Sequence, residues 1–499
     1  MTSIQQSSGQ GALFELVARG IKDKYFVNDS KESQFTYSAA YASSIPHIKE
    51  RKTSVPVNGT HFGTTFEVEI DRYGDILTEC ALDIQLPSWL PPLPIHPNGM
   101  PIDPSVANGL YPITATNGLS YGYVNGCGYF LFEKIQFYQD QALIQEWSGD
   151  GLLVKQLTEG SRTYSDLRLI RGGYTGSTLR ALQLRATPPP LRIYLPLPGL
   201  QSPDDVGLPL LAMTWQTLRL RITLRKLEDI VICSDFSLFK PTPWSSANTF
   251  QYTLSDGSTT QTFSPRLIHE IGHPTIVLST VQHYVPADIQ QSLREQTIQI
   301  PFRKCFENRF TFGELDFISL DKGGTSAVTR RLEGRHPTER LFWFFRLQQT
   351  MDQNRLDDFR NSYFDDHVPS DTQPYTEPYG GFYYQLKLLI AGRDRERLES
   401  GEVWNGIVPW SKQERVGPAG IGEMRWSLGD RLGVVYPSYR IPEGTVNFTT
   451  ADRPTLYLEL ANVPVHPLLA QRIVEMRAIS EAWNVYEIKE GRGRILFAS

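Results

Sequence analysis

The chain has 499 residues, with 49 Lys or Arg against 54 Asp or Glu and a net charge of −5. Single hydrophobic cores stop growing at about 250–300 residues, so this length implies two domains. With 40% hydrophobic and 21% charged residues the chain is globular; no apolar run approaches the ~20 residues of a membrane span, and no clustered positive field favours direct nucleic-acid binding.

Aromatics at 11%, with 39 Gly and 34 Pro, suit an all-β protein with many turns. Residues 1–10 are polar. Gly11–Gly20 follows, with Leu13, Phe14, Leu16 and Val17 spaced for two short amphipathic turns that either dock on a neighbour or cap their own domain. Thr64–Ile70 and Ile76–Leu86 alternate as strands do. Pro87–Pro104 holds too many prolines for strand or helix and reads as a long surface loop. Gly128–Trp147 reads as two strands joined at Gln139-Asp140, Gly149–Leu157 as a short helix, and Leu191–Leu200 as a proline-punctuated strand.

Leu218–Arg225 alternates strictly, with Leu218, Leu220, Ile222 and Leu224 on one face and Arg219, Arg221, Thr223 and Arg225 on the other. It reads as the closing strand of a first β domain, packed on one side only. Residues 235–264 are polar and rich in Ser and Thr, as expected of a linker and loop. Strands resume at Ile276–His283 and Thr297–Phe302, and continue with the aromatic Arg340–Leu347, then Tyr383–Gly392, Thr455–Leu460 and Trp483–Ile488. Helical spacing is clearest in Pro467–Ile479, through Leu468, Leu469, Ile473 and Met476.

Candidate chemistry is sparse. Cys80, Cys127, Cys233 and Cys305 lie far apart with no CxxC pair, and no signal peptide opens the chain, so buried thiols are expected rather than disulfides. Gly126-Cys127-Gly128 is read as having no helix behind it to hold a phosphate. His269-Glu270-Ile271-Gly272-His273 matches HExxH, in which two histidines on one helical face bind zinc and the glutamate polarises water. Pro274 directly after His273, and Gly272 within the motif, oppose the helix that this geometry needs. No catalytic residue, cofactor or metal is therefore expected; a zinc hydrolase using His269, Glu270 and His273, or a β-sandwich carbohydrate-binding module, is the alternative.

Seven segments, in order and over almost the whole chain, carry a resemblance. They are Glu15–Val27, Phe66–Leu77 (FEVEIDRYGDIL), Gly207–Thr214 (GLPLLAMT), Gly334–Trp343 (GRHPTERLFW), Gly392–Arg395, Gly444–Phe448 (GTVNF) and Trp483–Ser499. Together they resemble the double jelly-roll major capsid proteins of nucleocytoplasmic large DNA viruses, the large icosahedral double-stranded DNA viruses of eukaryotes. The Pro-rich loop and the loops at 245–264 and 396–430 depart from that pattern.

The resemblance implies two consecutive eight-stranded antiparallel jelly rolls with long surface loops and few short helices. The expected division is an N-terminal arm at 1–24, a first roll at 25–230, a linker at 231–245 and a second roll at 246–499. It further implies a homotrimeric, pseudo-hexagonal capsomer tiling an icosahedral shell around an inner membrane and a double-stranded DNA genome. Implied partners are neighbouring capsomers and minor capsid and penton proteins, in virions assembled in the host cytoplasm. Leu13, Phe14, Leu16 and Val17 then become candidates for contacts beneath the shell.

Overall fold

In Leu218–Leu224 the three leucines and Ile222 are buried, while Arg219, Arg221 and Thr223 look outward. The strand pairs antiparallel with Thr65–Glu69 on one side and Phe132–Gln139 on the other, so it is a central strand and not a closing one. It belongs to a computed structural model that describes residues 48–89, 114–115, 119, 121–158, 190–201, 207–233, 238–246, 248–253, 260–359, 361, 381–411, 420–426, 444–451 and 453–497.

Among the described residues, two sets of eight strands carry the fold. The first set is β1 (Ile48–Ser54), β2 (Thr65–Glu69), β3 (Ile76–Gln85), β4 (Phe132–Gln139), β5 (Ala142–Trp147), β6 (Leu191–Tyr194), β7 (Leu218–Leu224) and β8 (Thr275–Tyr284). The second is β9 (Ile298–Phe312), β10 (Ser326–Arg331), β11 (Pro337–Leu347), β12 (Tyr383–Ile390), β13 (Arg393–Asp394), β14 (Ile421–Arg425), β15 (Thr455–Leu460) and β16 (Val474–Lys489). The first set forms sheets ordered β1-β8-β3-β6 and β2-β7-β4-β5; the second forms β9-β16-β11-β14 and β10-β15-β12-β13. Both sets therefore share one order, first–eighth–third–sixth facing second–seventh–fourth–fifth. This is the double-sheet jelly roll, made twice.

That order corrects the expected boundary. Within β8, Leu278 pairs with Ser54 of β1 and Leu82 of β3, so Thr275–Tyr284 closes the first roll. The segment expected as a linker, 231–245, lies in the connection between β7 and β8. The sheets divide between Tyr284 and Ile298, where α1 (Ala287–Glu295) forms a surface bridge with no buried residue. Polar composition suggested a linker, but β8 pairs with partners far upstream and composition carries no trace of that.

The expected helix over Pro467–Ile479 is also absent. Residues 467–470 form a turn that leaves Leu468 and Leu469 exposed, and the strand β16 begins at Val474. Pairing with β9 on one side and β11 on the other overrides the weak helical spacing. The hairpin β4–β5 and the helix at 149–158 form where expected, with Asp140 turning the hairpin at φ 50°.

One hydrophobic core fills the first roll and takes in Ile298, Ile300, Phe302, Phe342, Phe344 and Ile479 from the second. A separate core inside the second roll holds Leu341, Trp343, Phe345, Met476 and Ala478. Every residue of β11 is buried, because its two faces serve the two cores. This explains why RLFWFFRL lacks alternation. Leu13, Phe14, Leu16 and Val17 lie outside the described residues, as does most of the Pro87–Pro104 loop. Its start is anchored: Trp89 is fully buried against Tyr123, whose hydroxyl donates to the Pro87 carbonyl at 2.6 Å.

Candidate functional site at the junction of the rolls

The helix α2, which precedes α1 in the chain and spans Gly149–Thr158, starts one residue after β5 and lies against the second roll. Its approach is close: a Cβ on Gly151 would sit 2.9 Å from Cδ1 of Ile479. Asp150 in its first turn is 0% exposed, and an acid there suits the positive end of the helix dipole. Three guanidinium groups converge on its carboxylate. Arg346 of β11 bonds Oδ1 at 2.9 Å, Arg477 of β16 bonds Oδ2 at 2.8 Å, and Arg225, just past β7, also bonds Oδ2. Burial alone would raise the Asp150 carboxyl, but the three arginines outweigh it and hold the group far below the usual carboxylate range.

The positive charge is shared onward. Arg477 also bonds Glu475 at 2.7 Å and Glu307 at 3.1 Å. At the other end of α2, Lys155 pairs with the buried Glu481, and the Thr158 hydroxyl accepts from Arg340. Arg340 in turn holds Glu423 at 2.6 Å. Burial raises the Glu481 carboxyl, but Lys155, Arg340 and Arg303 outweigh it and set it at about 2.

Neutral contacts extend the junction. Gln201 of the first roll exchanges two bonds with the Arg303 backbone, at 2.7 and 2.6 Å. The Tyr486 hydroxyl donates to Gln139 at 2.7 Å, and Gln139 donates to the Gly493 carbonyl at 2.8 Å. A cleft of about 910 Å³ runs beside these contacts, lined by Lys134, Lys155, Lys304, Glu307 and Arg477 among others. The carboxylates at the centre of the junction are held by cations, so its chemistry is adhesion.

The HExxH segment lies elsewhere, in the connection leading into β8. Residues 267–271 make a single turn, in which the Glu270 and Ile271 amides donate to the Leu267 carbonyl at 2.8 and 3.2 Å. Gly272 ends it at φ 82°. The Glu270 carboxylate points back and accepts the Leu267 amide at 2.9 Å, while His269 is exposed. His273 meets His61 edge to face, with ring centroids 3.9 Å apart, and burial followed by His61 lowers its pKa. Among the described residues no group of three or more His, Cys, Asp or Glu stands close enough to hold a metal. A His269→Ala, His273→Ala double variant is expected to keep the wild-type melting temperature, and purified protein to carry less than a tenth of an equivalent of zinc. Stoichiometric zinc by elemental analysis would revive the hydrolase alternative.

Gly126-Cys127-Gly128 does lead into a helix, against expectation, but it is a buried single turn, Cys127–Phe130, belonging to the core. All four cysteines keep their thiols: three are buried and Cys305 is half-buried. Burial, helped by Glu79, pushes the Cys80 thiol up to about 12, which leaves it inert. The arginine cluster on Asp150 was not anticipated from the sequence.

The chain has the double jelly-roll fold of viral major capsid proteins. It superposes on VP54 of PBCV-1, solved and fitted into a reconstruction of the virophage Sputnik, with a TM-score of 0.65 and 15% identity, over 92% of this chain and 98% of that one. The Faustovirus major capsid protein gives a TM-score of 0.60 at 12% identity, over 90% and 92% of the two chains. A curated relative, the major capsid protein of Phaeocystis pouchetii virus, is 26% identical over 113 residues; these are 23% of this chain and 20% of that protein, so the match spans about a fifth of the relative's length. No protein-family profile matches the chain.

Proposed function

We propose that this chain is a structural capsid protein, three copies of which close into a pseudo-hexagonal capsomer that tiles an icosahedral shell. The observation that carries this reading is the repeat of one strand order in two rolls joined head to tail. The β5–α2 side of the first roll meets the β9-β16-β11-β14 sheet of the second, so the contact is between unlike faces. Unlike-face contacts generate rings when the rotation closes. Three two-roll chains supply six similar blocks, which suits hexagonal tiling. Likeness to capsid proteins over nine-tenths of the chain supports the same reading. In this reading the shell surrounds an inner membrane and a double-stranded DNA genome. Minor capsid and penton proteins complete it in the host cytoplasm, and Leu13, Phe14, Leu16 and Val17 lie on the inner side.

Light scattering on the purified protein tests the reading. The expected mass is three times the 56.6 kDa of the chain. A monomer that persists at high micromolar concentration would overturn it.

A further inference from the structure

The junction inside the chain says which faces meet between chains, an inference that rests on the capsomer reading. In the first roll the fifth strand, β5, leads directly into α2, and α2 lands on the outward face of the first–eighth–third–sixth sheet of the next roll. The second roll repeats the device. After β13, Glu399–Ser400 pairs with β12, and the chain then turns into a helical segment, π-helical over Val403–Ile407 and α-helical over Val408–Ser411. Its inner side is tied to its own roll: the buried Trp404 donates to the Leu386 carbonyl at 2.9 Å, and the Tyr383 hydroxyl donates to Asn405 at 2.8 Å. Its outer side is uncovered, with Ile407 57% exposed and Glu402 exposed.

The matching receptor is the β1-β8-β3-β6 sheet of the first roll. The counterpart sheet in the second roll is covered by α2, whereas this one presents charged and aromatic side chains to solvent. Arg192 holds Asp83 through two bonds, at 2.6 and 2.9 Å; Arg51 holds Glu79 at 3.0 Å; Tyr194 beside them is 47% exposed. Glu402 opens its helix much as Asp150 opens α2, and two arginines stand on the face awaiting it. Both arginines already hold a carboxylate, so Glu402 would join a charged lattice rather than fill an empty site.

We propose that residues 402–411 of one copy dock on the outward face of β1-β8-β3-β6 of the next, repeating between chains the contact that α2 makes within the chain. Ile407 then lies over the Tyr194 region, with Glu402 near Arg51 and Arg192.

Ile407→Asp and Tyr194→Asp test this, since both side chains are exposed and the protomer does not need them to fold. Each is expected to raise the trimer dissociation constant at least tenfold with an unchanged far-UV spectrum. Leu315→Asp, at a site 84% exposed in the helix Glu314–Asp321, which is part of neither face, should leave it unchanged. A Tyr194→Cys, Ile407→Cys variant in a Cys305→Ser background should give dimer and trimer bands with a bismaleimide. If the wild type is trimeric while both Asp variants stay trimeric and the paired cysteines give no ladder, the face assignment falls and the capsomer reading stands. A wild type that never leaves the monomer removes both.

Discussion

Asp150→Ala is expected to cost about 3–5 kcal/mol of stability, the usual penalty for removing one partner of a buried ionic cluster. The loss comes less from the missing bonds than from what remains. Arg346 and Arg477, 1% and 8% exposed, would face each other and Arg225 without the carboxylate that offsets them. Chemical denaturation should show a lower midpoint, and limited proteolysis should cut between the rolls. An Asp150→Ala, Arg346→Met double variant should recover part of the loss, because it removes one stranded charge. If the single variant costs under about 1 kcal/mol, as a surface ion pair would, the junction is not held by this cluster.

The same cluster sets a pH dependence. The Asp150 carboxyl is depressed in the folded protein, so its contribution is present above the unfolded value of ~3.9 and is lost as pH falls towards the folded one. Glu481, held at about 2, adds a loss over the window below its unfolded value of ~4.3. Both act at the junction, so acid should loosen the rolls from each other before it unfolds either core. The Asp150→Ala variant should lose much of this acid sensitivity.

Strands with one wet face were legible in the sequence. In β7 the arginines alternate with buried leucines, and in β2 Phe66 and Val68 do the same against Thr65, Glu67 and Glu69. The strand β16 was only partly legible. Glu475, Arg477 and Glu481 have the charge of a wet face, yet all are buried: Arg477 on Asp150 and Glu481 on Lys155 of the first roll, and Glu475 on Arg477 and Arg309. A strand covered on both faces, one of them ionic, carries the same period-two pattern as a strand with one wet face, so its burial is not legible from the pattern. The site left two marks: an acid between Gly149 and Gly151, and Arg346 at the end of an aromatic run. Each is odd alone. That they are partners follows only from the fold, which gathers positions 150, 225, 346 and 477 from both rolls. The HExxH motif shows the converse, since sequence alone places two histidines together, yet His273 packs on His61 while His269 is exposed.

Gly149→Ala should be more damaging than its chemistry suggests. A Cβ at this position would overlap the carbonyl oxygens of Tyr129 and Phe132, both of them backbone atoms. No rotamer change relieves such a clash, unlike one against the end of a flexible side chain. The residue is the first of α2, so the start of the helix would have to move. Asp150 is the next residue and moves with it, away from Arg346 and Arg477 of the second roll. The expected cost is about 3 kcal/mol, the upper end for overpacking, although helix propensity alone would favour alanine by about 1 kcal/mol. Gly151→Ala is the informative comparison. Its Cβ would press on Cδ1 of Ile479 and the Ser148 hydroxyl, and side chains can shift, so a loss of about 1–2 kcal/mol is expected. Denaturation of the two variants side by side checks the order. A Gly149→Ala protein as stable as the wild type would mean that α2 does not need its close seat on the first roll to reach the second.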